Sequence, residues 1–267
     1  MAAEITAKMV KDLRDKTDAG MMDCKKALVE AAGDIEKAVD ILRKSGMAKA
    51  AKKSGRGVKE GKVGSKVDGK VGAMVEVLCE TDFVATNDKF KGYVESLVAK
   101  VADSSSSGDV SAEIADSEKS GLTEMIATIG ENMMIRRAVR WESAGKCASY
   151  LHMGGRIGVL ADVEGCEDDE VLGNLCMHIA AFKPTYVSPD DIPADIDAKE
   201  REIAAGQVAG KPAEIIDKIV NGKIAKWHNE VCLMKQPWIR DDKQSVEKAN
   251  PGMVVKRFLR WEIGEEI

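Results

Sequence analysis

Apolar residues recur at helical spacing from Met9 to Leu42 and at strand spacing from Val71 onward, which predicts a helical head followed by a mixed α/β body. Thr6 is placed to cap a first helix in which Met9, Val10 and Leu13 share a face, and Thr17-Asp18-Ala19-Gly20 stops it. A second helix turns Cys24, Ala27, Leu28 and Ala31 inward and ends at Gly33. Asp34 caps a third, where Ile35, Ala38, Ile41 and Leu42 complete a three-helix bundle expected to close near Gly46. Lys49 to Lys70, rich in Lys and Gly, reads as a linker; it holds no G-x-x-x-x-G-K-[ST] phosphate loop.

The body alternates as a strand from Val71 to Glu80. Asn87 then caps a helix whose stripe is Phe90, Tyr93, Val94, Leu97, Val98 and Val101. A flexible loop at Ser104 to Ser107, a helix around Leu122 to Met133 and a strand from Ile135 to Glu142 follow. The stretch Arg136-Arg137-Ala138-Val139-Arg140-Trp141-Glu142 has an echo near the C-terminus, Lys256-Arg257-Phe258-Leu259-Arg260-Trp261-Glu262. Between them, a strand from Arg156 to Val163 and a helix from Asp168 to Phe182 repeat the element order, which points to two related α/β units. Lys183-Pro184 interrupts the second. Past Pro189 and Pro193, helical stretches at Asp195 to Val208 and Ala213 to Trp227 are joined by Gly210-Lys211-Pro212. Ile196, Ile203 and Val208 are expected to face Ile215, Ile216, Ile219, Val220 and Ile224 across an antiparallel hairpin.

Charge refines this picture. The net charge of −5 hides a basic head: residues 1–62 hold 15 Lys or Arg against 10 Asp or Glu, so the remainder carries −10. The head has no aromatics and its charges are interspersed, which fits solvated helix faces better than a nucleic-acid groove. The start of the chain has no export pattern, and no long apolar run suggests a membrane span. Six scattered cysteines without C-x-x-C spacing fit reduced buried thiols of a cytoplasmic protein, and Cys176-x-His178 fits core packing better than a metal site. No catalytic constellation is legible, so a binding protein is expected and not an enzyme, with no cofactor and no metal. A thiol enzyme using Cys24 or Cys79 is the catalytic rival.

Two apolar features stand where solvent is expected. Met21-Met22 follows a turn, and suits a partner surface or, for Met22, the bundle's own core. Phe83 sits beside Asp82 between a strand and a helix, so either that loop folds inward or Phe83 is a probe for something else.

Leu13-Arg14 through Thr17, Ala19-Gly20-Met21-Met22-Asp23-Cys24-Lys25-Lys26-Ala27-Leu28 and Gly33-Asp34 resemble the amino-terminal signature of bacterial elongation factor Ts. Cys79 to Ala85 is similar to that family's second signature, with Thr81-Asp82-Phe83-Val84-Ala85 intact. Gly130-Glu131-Asn132, Ile135-Arg136-Arg137, Tyr150-x-His152, Gly155-Arg156-Ile157-Gly158-Val159-Leu160, Ala180-x-x-Lys183-Pro184 and Gln236-Pro237 extend the match along nearly the whole chain.

The resemblance implies an α+β protein: an N-terminal three-helix (UBA-like) bundle, a duplicated α/β core with antiparallel sheets and an inserted helical coiled-coil hairpin. The expected division is bundle 1–55, core subdomain N 56–145, core subdomain C 146–187 and 230–267, and hairpin 188–229, a dimerisation arm. The implied function is guanine nucleotide exchange on elongation factor Tu, met both GDP-bound and nucleotide-free, with displacement of its Mg2+ and release of GDP. Thr81, Asp82, Phe83 and Val84 would act at the magnesium side, and Met21, Met22, Lys25 and His152 would bind the partner. No membrane or direct nucleic-acid contact is expected. The alternative is an RNA- or ribosome-associated helical scaffold without exchange activity. Asp18 stands where many relatives have glycine, and a C-terminal helix of many relatives has no counterpart before Ile267, which implies a reduced contact there.

Overall fold

The computed structural model describes residues 5–208 and 213–266. The junction Gly210-Lys211-Pro212 lies outside them. Helices α1 (Ala7–Thr17), α2 (Met21–Glu30) and α3 (Ile35–Lys53) form the bundle around Val10, Leu13, Cys24, Ala27, Leu28, Ala31 and Ala38. Thr6 and Asp34 cap α1 and α3 through their side chains, as their positions predict. Gly46 does not end α3. A Cβ there would stand 3.2 Å from that of Ala127, so glycine allows close helix packing and α3 runs on against the core.

The expected linker is largely a strand. Strand β1 (Glu60–Asp68) pairs antiparallel with β2 (Val71–Cys79) along its full length. Its glycines serve close approach instead of flexibility: a Cβ on Gly64 would lie 2.7 Å from Val94 on the helix above. After a single turn, α4 (Asp82–Ala85), comes α5 (Asp88–Asp103), whose stripe of Phe90, Val94, Leu97, Val98 and Val101 covers the sheet. Strand β3 (Gly108–Asp109), α6 (Ser111–Ser117) and α7 (Lys119–Ile129) lead to β4 (Met133–Glu142). The sheet order is β1-β2-β4-β3.

The second unit repeats the plan. Strands β5 (Lys146–His152) and β6 (Ile157–Glu164) are followed by α8 (Asp169–Phe182). Helices α9 (Ala194–Gly206) and α10 (Ala213–Val231) interrupt. Strands β7 (Pro237–Trp238) and β8 (Asp241–Ser245) and the turn α11 (Val246–Ala249) then lead to β9 (Val254–Glu262). The sheet order is β5-β6-β9. Strand β5 alternates too weakly to be legible in the sequence. In the hairpin, Ala204, Val208 and Ile224 are buried, whereas Ile196, Ile203 and Ile215 stay exposed, so the expected apolar seam is only partly closed. Backbone bonds from Thr185 to Val231 and from Leu233 to Tyr186 pinch its base.

The two sheets pack face to face, with α5 outside one and α8 outside the other. Val63, Met74, Trp141, Cys147, Leu160 and Trp261 fill the space between them. Glycines at equivalent registers, Gly72 opposite Trp141 and Gly158 opposite Trp261, let the sheets approach. A Cβ on Gly158 would lie 2.3 Å from Val63. The echoed strands supply a reciprocal clamp: Arg137 stacks 4.5 Å from the Trp261 ring, and Arg257 stacks 4.4 Å from the Trp141 ring. Each arginine also pairs with an acid on its own central strand, Arg137 with Glu76 at 2.5 Å and Arg257 with Asp162 at 3.0 Å. Duplicated sequence has become a duplicated inter-sheet lock.

Candidate functional site

The connection carrying Phe83 is neither a free loop nor folded inward. Thr81 ends the extended backbone and caps α4, its hydroxyl oxygen accepting from the Val84 amide at 3.4 Å. At the other end, the Thr86 hydroxyl donates to the carbonyls of Asp82 and Phe83. Successive helical residues point about 100° apart. Val84, buried in the cluster with Val77, Cys79 and Phe90, therefore leaves Phe83 directed outward. Phe83 is 83% exposed, the most exposed large apolar side chain among the described residues, and Asp82 beside it is exposed too.

The turn stands on a platform from distant parts of the chain. Glu131 accepts from the Thr81 amide at 3.0 Å and from the Thr81 hydroxyl at 2.7 Å. The neighbouring Asn132 amide donates to Glu80 at 2.6 Å, and the Asn132 side chain donates to the Arg56 carbonyl at 2.8 Å. That Asn132 amide, helped by the Arg56 guanidinium, holds the Glu80 carboxyl below the usual carboxylate range. Lys53, in the last turn of α3, donates to the Gly130 carbonyl at 2.6 Å. In the sequence Gly130-Glu131-Asn132 stands out only as part of the family resemblance. Their role was not legible because their partners lie far away along the chain.

On the bundle, Gly20 starts α2 and leaves Met21, Met22 and Lys25 exposed, with Met21 and Met22 58% and 63% accessible. Met22 is thus not a core residue of the bundle. Val29, also exposed, continues the row at helical spacing. The turn before α2 holds Asp18 in the left-handed region, where glycine costs less, and Asp18 reaches Lys89 on α5 at 2.9 Å. This ion pair links the turn before α2 to the first turn of α5. Beside the contact between α3 and α7 lies an open cleft of about 840 Å³, lined by residues such as Leu42, Met47 and Leu122.

His152, exposed at the end of β5, has its Nδ1 3.1 Å from the Tyr150 hydroxyl. The turn after it ends at Arg156, which pairs with Glu60 at 2.6 Å. Glu60 is the register partner of Cys79, so the His152 turn and the Phe83 turn flank the same end of the paired sheets. Thr81, Asp82, Phe83 and Val84 lie together on or at the cap of one turn, whereas His152 and the Met21 row stand on separate elements, whose neighbours Arg156 and Asp18 pair with Glu60 and Lys89. None of these residues assembles a nucleophile with a base.

The cysteines bear on the catalytic rival. Cys79 is buried, its thiol donates to the Thr81 carbonyl at 3.2 Å, and burial, with the Glu131 charge adding, pushes it up to about 12. Burial likewise pushes Cys176 up to about 12 and Cys147 and Cys232 up to about 11. Cys24 is buried in the bundle. Thiolates are the reactive form, so Cys79, Cys147, Cys176 and Cys232 are protected by their raised values, and Cys24 is shielded by its burial. A maleimide applied to the native protein at pH 7.5 is expected to label Cys166, the one partly exposed cysteine, and spare the other five until denaturant is added. Comparable labelling of Cys79 in the native protein would reinstate the thiol reading. Cys176 and His178 are both core residues of α8, with the imidazole stacked on Phe182 and its Nε2 2.9 Å from Gln236.

The family model described as Elongation factor TS matches residues 80–265. A protein named Elongation factor Ts from Methylococcus capsulatus is 48% identical over 276 residues, covering 98% of this chain and 93% of that protein. One of the same name from Clostridium botulinum (strain Eklund 17B / Type B) is 46% identical over 286 residues, covering 98% and 94%. Another from Janthinobacterium sp. (strain Marseille) is 46% identical, covering 99% and 92%.

Proposed function

The chain belongs to the elongation factor Ts family and is a guanine nucleotide exchange factor for elongation factor Tu in translation elongation, and we propose that the Thr81–Ala85 turn is the part that opens the nucleotide site. The observation that carries this reading is Phe83, presented to solvent on a turn whose neighbouring Val84 is anchored in the core. An exposed aromatic on a rigid base has little ordering entropy left to lose when it docks.

The mechanism is linkage. A partner that binds the nucleotide-free GTPase more tightly than its GDP form must weaken GDP by the same factor. Burying Phe83 in an apolar crevice contributes about 1.5–3 kcal/mol. When that crevice opens only as the magnesium-side elements move, the burial favours the state that has lost Mg2+ and is releasing GDP. Asp82 beside it brings a negative charge against the ligands of that ion, and Thr81 and Val84 hold the turn. Met21, Met22 and Lys25 supply an adaptable apolar row with a cation, and His152 a further contact. No covalent bond in GDP is made or broken in this process.

Beyond exchange, we assign the bundle to 1–55, the core to 56–145 with 146–187 and 230–267, and the hairpin to 188–229. The exposed Ile196, Ile203 and Ile215 suit self-association of that arm in a homodimer. A cytoplasmic location suits a translation factor whose described helices include none long and apolar enough to cross a membrane. The decisive experiment follows release of fluorescent GDP from elongation factor Tu with the factor at one-tenth of the GTPase concentration. Acceleration through many turnovers is expected. Binding without acceleration would overturn the reading and leave the RNA-scaffold alternative.

A further inference from the structure

We propose that Glu131 is the positioning residue for Phe83: its carboxylate, delivered from the other end of the first unit, clamps Thr81 by two bonds and so sets the direction in which the aromatic projects. The inference rests on the exchange reading above and adds a residue that controls the site without belonging to the exposed surface. Three observations carry it.

First, the clamp is two-pronged. The Thr81 amide donates to one Glu131 oxygen at 3.0 Å and the Thr81 hydroxyl to the other at 2.7 Å. Two bonds from one planar carboxylate fix both the position and the rotation of Thr81. Second, Thr81 has a downstream task. Because its hydroxyl proton is directed to Glu131, the oxygen's lone pairs remain free to accept from the Val84 amide, and its carbonyl accepts from the Ala85 amide at 3.2 Å. A four-residue helix lacks the length to sustain itself, so its capping residue decides whether it exists. Third, Glu131 is itself held. Gly130 takes φ 91° to end α7, the Lys53 ammonium grips the Gly130 carbonyl, and the Asn132 amide is bound by Glu80. The platform therefore joins the end of the bundle's long helix, the last strand of the sheet and the Phe83 turn. A carboxylate serving merely as a surface charge would have no need of such a socket.

The test uses the full-length chain with Glu131→Ala, Glu131→Gln, Phe83→Ala and the Glu131→Ala/Phe83→Ala double variant. Glu131→Ala is expected to slow GDP release from elongation factor Tu about tenfold at saturating factor. Glu131→Gln keeps one acceptor oxygen and is expected to fall between it and the wild type. In the Phe83→Ala background the same Glu131→Ala change is expected to cost less than about twofold, because there is no longer an aromatic to aim. Fully multiplicative losses, with equal effects in both backgrounds, would show Glu131 to act independently of Phe83 and overturn the proposal.

Amide hydrogen exchange supplies a readout that needs no partner. Val84 and Ala85 are expected to exchange at least about tenfold faster in Glu131→Ala, with Val75 and Val77 in β2 unchanged. Unchanged protection at Val84 and Ala85 overturns the proposal whatever the activity. Should Phe83→Ala exchange nucleotide as fast as the wild type while those two amides still loosen, the role of Phe83 fails and the clamp itself stands.

Discussion

Phe83→Ala is expected to reduce the maximal rate of GDP release from elongation factor Tu by about ten- to a hundredfold while moving the melting temperature by less than about 2 °C. The two halves of this expectation have separate origins. In the free protein Phe83 is 83% exposed and contributes little to the core, so its truncation belongs with surface changes of about ±0.5 kcal/mol. In the complex it is asked to supply about 1.5–3 kcal/mol of burial in the state that releases nucleotide, and each 1.4 kcal/mol or so is a factor of ten. Stopped-flow release of fluorescent GDP and calorimetry of the same preparation measure both. A large fall in melting temperature with normal exchange would return Phe83 to the core. Val84→Ala reverses the pattern: it hollows the anchor below the turn, so stability and exchange should fall together.

Arg137→Ala carries the largest expected loss of stability, about 3 kcal/mol, which lowers the melting temperature by about 6–12 °C. Glu76 is fully buried on the central strand. Burial raises its carboxyl above the usual range, while Arg137 at 2.5 Å and Arg136 at 3.3 Å pull the other way. Removing Arg137 leaves one of those two partners, strips the stacking from Trp261 and breaks a second ion pair, to Glu265 at 2.5 Å. The equivalent Arg257→Ala is expected to cost about half as much. Arg257 is 42% exposed at its side chain and its acid, Asp162, has a second partner in the Ser143 hydroxyl. Chemical denaturation of both variants, with stability read from the transitions, tests the asymmetry. Equal losses would mean that the inter-sheet stacks, shared by both positions, dominate over the buried Glu76 charge.

Legibility differed by element for physical reasons. Helices α1, α2 and α5 could be read because caps at Thr6 and Asn87 and single apolar stripes are local properties. Strand β1 reads as a linker in the sequence because its glycines serve contacts with Val94 and Val77, residues that only the fold brings near. The extension of α3 past Gly46 was hidden for the same reason: the space a Cβ would need is occupied by Ala127. Within the site, Phe83, Met21 and Met22 could be picked out as apolar residues in exposed-looking places. Glu131 could not, since one acidic residue after a glycine looks like any other until Thr81 arrives beside it.

By itself the sequence determined the three helices of the head, the succession of β2, α5 and β4 and its repeat in β6, α8 and β9, the duplication ending in Arg-x-x-Arg-Trp-Glu and, through its long match to the family, the partner. These are encoded in local spacing or in the ordered succession of motifs, which need no coordinates. Tertiary structure alone decided that Phe83 points outward, that the two Trp strands lock each other across the sheets, and that Glu131 holds the turn. Each of those depends on where groups remote along the chain come to rest, and it is the burial of Val84 together with the clamp on Thr81 that leaves the aromatic facing solvent.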